Sequence, residues 1–122
     1  MLYNYFVKKI ILVEDDPDIV ELILDILSEI YQVTFETNVE NFFKRTDADI
    51  EKFDLIITDF LLEKYSAKDI IEKYKNKKFL IISALSVNSP EISPLVDNKK
   101  IFYLQKPFVI DDLLNKVDNI LK

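Results

Sequence analysis

The sequence predicts an α/β protein in which five parallel strands alternate with helices. Three observations predict this class. Short apolar runs rich in Ile and Leu recur along the chain, segments with apolar residues at helical spacing separate them, and polar residues follow the runs. Strands that alternate with helices in this way form a parallel sheet with right-handed crossovers and helices on both faces.

The composition is that of one folded domain. The chain has 122 residues, of which 49% are hydrophobic, and this excludes a disordered chain. The net charge of −6 argues against nonspecific binding to nucleic acid or anionic membranes. Cysteine, histidine and glycine are absent, which excludes disulfides, thiol and histidine chemistry and Gly-rich phosphate loops. No apolar run approaches the roughly 20 residues of a membrane span and the N-terminus has no signal-peptide pattern, so we expect a cytoplasmic protein.

The first part of the chain contains two predicted strands and two predicted helices. An aromatic leader, residues 1–7, precedes a first strand at residues 8–13. A helix begins at Pro17, because proline with an acid before it is a helix-start signal. The second strand is Gln32–Glu36, and Asn38 can cap the second helix. The apolar face of that helix consists of Val39, Phe42 and Phe43.

A polar connection, residues 46–52, leads to the predicted central strand. This strand, residues 53–60, is a short apolar run that carries a carboxylate, Asp59, at its end. A run of this length bounded by charges predicts a strand that is buried on both faces. Ser66, with Asp69 three residues later, resembles a capping box and predicts that a third helix begins there.

Two further strands and a final helix complete the predicted fold. The strands are residues 79–82 and 101–104. Pro90 and Pro94 lie between them, and because proline removes a donor and clashes with the previous turn, the fourth helix should be short, late-starting or irregular. The last helix shows apolar residues at helical spacing, namely Ile110, Leu113, Leu114, Val117, Ile120 and Leu121.

Polar side chains follow the ends of four of these strands. Asp15 and Asp16 follow the first strand, Asp59 ends the central strand, and Ser83 and Lys106 follow the last two. Five strand–helix units fit a flavodoxin-like doubly wound sheet of strand order 2-1-3-4-5, in which ligands bind beyond the carboxyl ends of the strands. We therefore expect these side chains to meet at one edge. Three carboxylates favour a hard divalent cation, and a lysine beside them would neutralise an incoming phosphoryl group.

One ordered set of residues, at these strand ends and spacings, resembles the receiver domain of two-component response regulators: Glu14-Asp15-Asp16, Asp59, Ser83-Ala84 and Lys106-Pro107. The resemblance implies a single receiver domain over residues 1–122 that acts as a phosphorylation-dependent signalling switch. It implies that the protein is not an enzyme, except that it catalyses its own phosphorylation and slow dephosphorylation. The implied partners are a sensor histidine kinase or a histidine phosphotransfer protein, a downstream effector protein or fused effector domain and, in some family members, a second copy. The resemblance implies no direct contact with nucleic acid and no membrane insertion.

The resemblance also implies a phosphoryl acceptor and a cation site. Asp59 would accept the phosphoryl group of a partner phosphohistidine. Mg²⁺ (or Mn²⁺) would be held directly by Asp16, largely through water by Asp15, and also by Asp59 and the main-chain carbonyl of Leu61.

The remaining residues that match the family have roles after transfer. Ser83 would hydrogen-bond the phosphoryl group, Lys106 would pair with it, and the rotamer of Tyr103 would report the state of the switch. Leu61 and Leu85 flank the route of a hydrolytic water in the family. Since neither side chain can orient water, we expect slow hydrolysis of the phosphoryl-aspartate.

Other interpretations stay open from the residues alone. An acid before Pro17 is often only a helix cap, and Tyr103 taken singly is an ordinary core aromatic. The family's usual proline and glycine after the acceptor are missing, and Glu63 and Ala67 stand near those positions. Two other functions compete: an interaction module that works without phosphorylation, and a Mg²⁺-dependent phosphatase with an aspartyl-phosphate intermediate. The second usually needs another acid two residues after the nucleophile, where this chain has Leu61.

Overall fold

The structure, a computed structural model, describes residues 7–122, so the predicted aromatic leader lies outside the described residues except for Val7. In this part of the chain there are seven strands: β1 (Lys9–Val13), β2 (Gln32–Glu36), β3 (Leu55–Asp59), β4 (Leu61–Leu62), β5 (Tyr65–Ser66), β6 (Phe79–Ser83) and β7 (Ile101–Gln105).

Five of the strands form one parallel sheet in the spatial order β2-β1-β3-β6-β7. Counted along the chain, these five strands have the order 2-1-3-4-5, which confirms the predicted doubly wound sheet. The strands β4 and β5 pair only with each other, in an antiparallel hairpin.

The same residues contain six helices: α1 (Pro17–Leu27), α2 (Val39–Phe43), α3 (Asp47–Glu51), α4 (Ala67–Lys73), α5 (Ser93–Val96) and α6 (Ile110–Leu121). None of these helices combines the length and the apolar character that a membrane crossing requires. The prediction of a short fourth major helix is confirmed by α5, which has a proline in its first turn.

Side-chain caps start two of the helices at the predicted residues. Asn38 Oδ1 accepts the N–H of Asn41 at 2.8 Å at the start of α2. Ser66 and Asp69 form a reciprocal capping box at the start of α4. These contacts satisfy N–H groups that a helix start leaves without partners, so both predicted starts are confirmed.

The predicted polar connection at residues 46–52 contains a helix, α3, which the sequence pattern did not indicate. Thr46 Oγ1 caps it by accepting the N–H of Asp49 at 3.1 Å, and Ile50 is buried. A helix of a single turn buries one residue here, so it shows no apolar period that a sequence pattern could display.

Alternate residues of the central strands face opposite sides of the sheet, and each side has its own core. Because both faces are covered, β1, β3 and β6 are apolar almost throughout. One core contains α2, α3 and α4 and includes Ile11, Val13, Phe42, Ile56, Ile70 and Ile81. The other contains α1 and α6 and includes Ile10, Leu12, Ile23, Leu27, Ile57, Leu113 and Val117.

Candidate functional site

The carboxyl edge of the parallel sheet brings one lysine between two carboxylates. Lys106 Nζ, after β7, lies 3.0 Å from Asp59 Oδ2 at the end of β3 and 3.6 Å from Glu14 Oε1 after β1. Glu14 is 3% exposed, and the side chains of Asp59 and Lys106 are partly buried. The predicted proximity of Asp59 and Lys106 is therefore present, in a setting where the charges are poorly screened by water.

Local structure holds Lys106 in this position. Its main-chain N–H donates to the carbonyl of Ser83 at 2.8 Å. Burial lowers the pKa of Lys106, but the hydrogen bond and charge of Asp59, together with the charge of Glu14, outweigh that effect and raise it. Lys106 is therefore a permanent cation beside Asp59.

Glu14 is a functional candidate to which the sequence analysis gave no separate role. Burial raises the pKa of Glu14 to about 7, and the charge of Asp59 adds to the rise. The N–H of Asp16, which donates to Glu14 Oε2 at 3.2 Å, and the charge of Lys106 oppose it. Its position in the sequence could have indicated a role for Glu14. It is the first residue after β1, so it lies nearer the sheet than the two acids that follow it.

Asp15 and Asp16 make contacts with different parts of the protein. Asp15 Oδ2 accepts the N–H of Glu63 at 3.3 Å, which directs this carboxylate towards the β4–β5 hairpin. Asp16 caps α1, since its Oδ1 accepts the N–H of Asp18 at 2.9 Å. The alternative interpretation of the acid before Pro17, as a helix cap, thus describes Asp16 but not Asp15.

The described acids do not form a closed metal cage. Among residues 7–122, no group of three acidic side chains is arranged to hold a metal ion, so the expected convergence of three carboxylates is not met. Mg²⁺, however, is usually held by one or two carboxylates, with waters and substrate phosphate as the other ligands. Asp15 and Asp59, whose oxygens lie near hairpin main chain, fit that kind of site, and the all-oxygen donors suit Mg²⁺ or Mn²⁺.

Ser83 and Tyr103 lie next to this edge and contact the same loop. Ser83 is buried, and its Oγ accepts the N–H of Leu85 at 3.3 Å. The Tyr103 hydroxyl donates to the carbonyl of Ser83 at 3.0 Å and also contacts the carbonyl of Leu85. Burial raises the pKa of Tyr103, so the hydroxyl stays protonated and able to donate.

The segment after Asp59 is a hairpin that the sequence analysis did not predict. Leu61 N–H donates to Asp59 Oδ1 at 3.4 Å, and the Leu61 side chain is 63% exposed. Glu63 and Lys64 form the turn between β4 and β5, and Lys64 has a positive φ of 68°. Such a turn normally contains glycine or asparagine, and the absence of both is why no turn signal was visible.

Comparison with known proteins finds no matching family model and no matching curated protein. Solved structures do match. Response regulator protein TrrA from Thermotoga maritima, solved in complex with Mg²⁺-BeF, has 30% sequence identity and a TM-score of 0.74, over 94% of this chain and 100% of TrrA. A CheY-like receiver domain protein from Methanospirillum hungatei has 27% identity and a TM-score of 0.78, over 94% of each chain. The chemotaxis response regulator CheY4 of Vibrio cholerae has 21% identity and a TM-score of 0.75, over 94% of this chain and 99% of CheY4, and at this identity it shows the fold alone.

Proposed function

The chain belongs to the receiver domains of response regulators, and on that premise we propose that it is a phosphorylation-dependent signalling switch with Asp59 as the phosphoryl acceptor. The observation that carries the proposal is the distance of 3.0 Å between Lys106 Nζ and Asp59 Oδ2 at the carboxyl edge of the sheet. An ammonium group at this distance can neutralise both the carboxylate and a phosphoryl group bonded to it.

The proposed transfer is a nucleophilic substitution at phosphorus. A carboxylate oxygen of Asp59 attacks the phosphorus of a phosphohistidine, so that an O–P bond forms and the N–P bond to the imidazole breaks. These 122 residues contain no histidine. We propose a sensor histidine kinase or a histidine phosphotransfer protein as the donor. Lys106 then pairs with the phosphoryl oxygens, and the Ser83 hydroxyl donates a hydrogen bond to one of them. Mg²⁺, when bound, supplies further neutralisation of the transferred group.

The contacts support a different choice of cation ligands from the one that the sequence predicted. We propose that Asp15 and Asp59 are the carboxylate ligands of the cation, with the main-chain carbonyl of Leu61 as a further ligand and Glu14 behind them. Asp16, which the sequence analysis assigned as the direct ligand, has an oxygen engaged at the start of α1. A role as helix cap explains that contact without any cation.

Signal output follows from the added charge. A phosphoryl group on Asp59 brings close to two negative charges to a partly buried position, which changes the electrostatic balance at Lys106 and at the loop after β6. Tyr103 contacts that loop through two carbonyl groups, so a shift of the loop would be transmitted to Tyr103 and to a downstream effector.

Intact-mass measurement tests the proposal. The protein is incubated with a small-molecule acyl phosphate and Mg²⁺, and we expect the mass of one phosphoryl group to be added. The addition should be lost in Asp59→Asn and in the presence of a chelator. Asp15→Asn should reduce it strongly, whereas Asp16→Asn should retain it, and the reverse result would restore the assignment made from the sequence. If neither this donor nor phosphohistidine proteins modify the wild type, the chain is an interaction module that works without phosphorylation.

A further inference from the structure

Two main-chain N–H groups of the β4–β5 hairpin donate to acids from separate segments, one at the end of β3 and one in the loop after β1. Leu61 N–H donates to Asp59 Oδ1 at 3.4 Å, and Glu63 N–H donates to Asp15 Oδ2 at 3.3 Å, across 48 residues of sequence. We infer that Glu63 is a positioning residue whose main-chain N–H orients the Asp15 carboxylate for the cation. This inference rests on the proposed function, because it concerns the same cation site.

The hairpin is anchored firmly enough to serve as such a support. Ala67 N–H donates to the carbonyl of Phe60 at 2.8 Å and closes the base of the hairpin, while Leu62 pairs with Tyr65 just before the turn. The Tyr65 ring contacts the Phe43 ring of α2 edge-on, with 5.6 Å between the centroids. The first residue of the turn is therefore held relative to the sheet on one side and to α2 on the other.

The contact leaves part of the Asp15 carboxylate available. Glu63 N–H contacts Oδ2, so this contact does not occupy Oδ1 of Asp15, which can face a cation. Hydrogen-bond donors behind a ligating carboxylate fix its orientation, and their loss typically weakens metal binding by about 10- to 100-fold. Because the N–O distance of 3.3 Å is long and the site is exposed, we expect a smaller effect here, about threefold to tenfold.

The geometry of the turn allows this N–H to be deleted without breaking the hairpin. Lys64, the second turn residue, has a positive φ, and it is the only described residue that does so, which leaves Glu63 with a negative φ. A negative φ followed by a positive φ is the sign pattern of a type II turn, in which proline is common at the first central position. Glu63→Pro therefore removes the N–H at a position that tolerates proline. Glu63→Gln removes the same side-chain charge and retains the N–H.

Mg²⁺ titration by calorimetry compares the two variants with the wild type, and no phosphorylation is needed for the readout. We expect the dissociation constant of Glu63→Pro to exceed that of Glu63→Gln by about threefold to tenfold. Equal constants in two folded variants, as judged by far-UV circular dichroism, would overturn the inference. If the wild type binds no Mg²⁺, the proposed cation site and this inference fail together, whereas wild-type binding with equal variants removes only the inference.

A second measurement tests the contact between Glu63 N–H and Asp15 even if Glu63→Pro does not fold. In ¹H–¹⁵N spectra of the cation-free protein, the amide resonance of Glu63 should shift on Asp15→Asn, because its acceptor loses its charge. The same resonance should stay in place on Asp16→Asn, which alters the neighbouring acid. An amide resonance that ignores Asp15→Asn, or that responds equally to both variants, would refute the positioning role.

Discussion

Glu14→Gln should stabilise the cation-free protein at neutral and alkaline pH. The substitution replaces a carboxyl that is 3% exposed by an amide of the same shape. The amide oxygen can still accept the N–H of Asp16, which now contacts Glu14 Oε2 at 3.2 Å. Lys106 loses a contact of 3.6 Å but keeps Asp59 at 3.0 Å. The principal change is therefore the removal of a buried negative charge.

The magnitude follows from the raised pKa of Glu14. Burial raises it from 4.5 to about 7 in the folded protein, which corresponds to on the order of 3 kcal/mol. Because the folded pKa is the higher one, the folded state binds the proton more tightly than the unfolded state. The stabilisation of the folded state that this tighter proton binding provides is fully present below pH 4.5 and is lost as the pH rises through about 7. The glutamine variant has no such loss, so at pH 8 its free energy of unfolding should exceed that of the wild type by about 2 kcal/mol, after allowance for the weakened Lys106 contact.

Urea denaturation followed by far-UV circular dichroism, with EDTA present, measures this difference from pH 5 to pH 8.5. Glu21→Gln is the matched control, because Glu21 is an exposed acid of α1. The gain of Glu14→Gln over the wild type should grow with pH, while that of Glu21→Gln should stay small and flat. A difference that does not depend on pH, or a glutamine variant that is less stable at pH 8, would refute the reasoning. Added Mg²⁺ should narrow the gap, because a cation compensates the charge of wild-type Glu14.

Three other variants test separate features of the structure. Lys64→Gly should raise the free energy of unfolding by about 1 kcal/mol, because Lys64 has a φ of 68° that only glycine adopts without a steric cost. A loss of stability in urea denaturation would contradict the positive φ. Tyr74→Phe should leave stability unchanged or raise it by up to about 1 kcal/mol, since the buried Tyr74 hydroxyl has no hydrogen-bond partner among residues 7–122. A loss beyond about 1 kcal/mol in the same assay would reveal a partner. Leu61→Asn should shorten the lifetime of the phosphoryl-aspartate about tenfold, because the 63% exposed leucine cannot orient a water and asparagine can; equal decay in timed intact-mass measurements would show that Leu61 does not limit hydrolysis.

The central sheet could be predicted from the sequence because its strands are buried on both faces. The runs that became β1, β3 and β6 are apolar almost throughout, and such runs between amphipathic helices leave few alternatives to a doubly wound parallel sheet. The second strand was predicted with its observed bounds, Gln32–Glu36. The two prolines of residues 85–100 predicted a fourth helix that is short, late-starting or irregular, and α5 is a single turn.

Two short elements escaped prediction for the same reason. The helix α3 and the β4–β5 hairpin each contain too few residues to display a period. Both have contacts with distant parts of the chain: Lys77 Nζ donates to the carbonyl of Glu51, the last residue of α3, at 3.0 Å, and the hairpin packs on α2 through Tyr65. Sequence patterns within a short window do not contain such contacts.

The order of residues along the chain was enough to bring Asp59 and Lys106 together, because parallel strands end at a common edge and the sheet order determines which ends are neighbours. Only the tertiary structure shows that the three consecutive acids at residues 14–16 have different surroundings. All three side chains are carboxylates, but the backbone turns between β1 and α1, so each points in a different direction. Glu14 is buried beside Lys106, Asp15 accepts an N–H of the hairpin, and Asp16 accepts an N–H in the first turn of α1. Direction and burial, which residue type does not contain, separate a charged site from a helix cap.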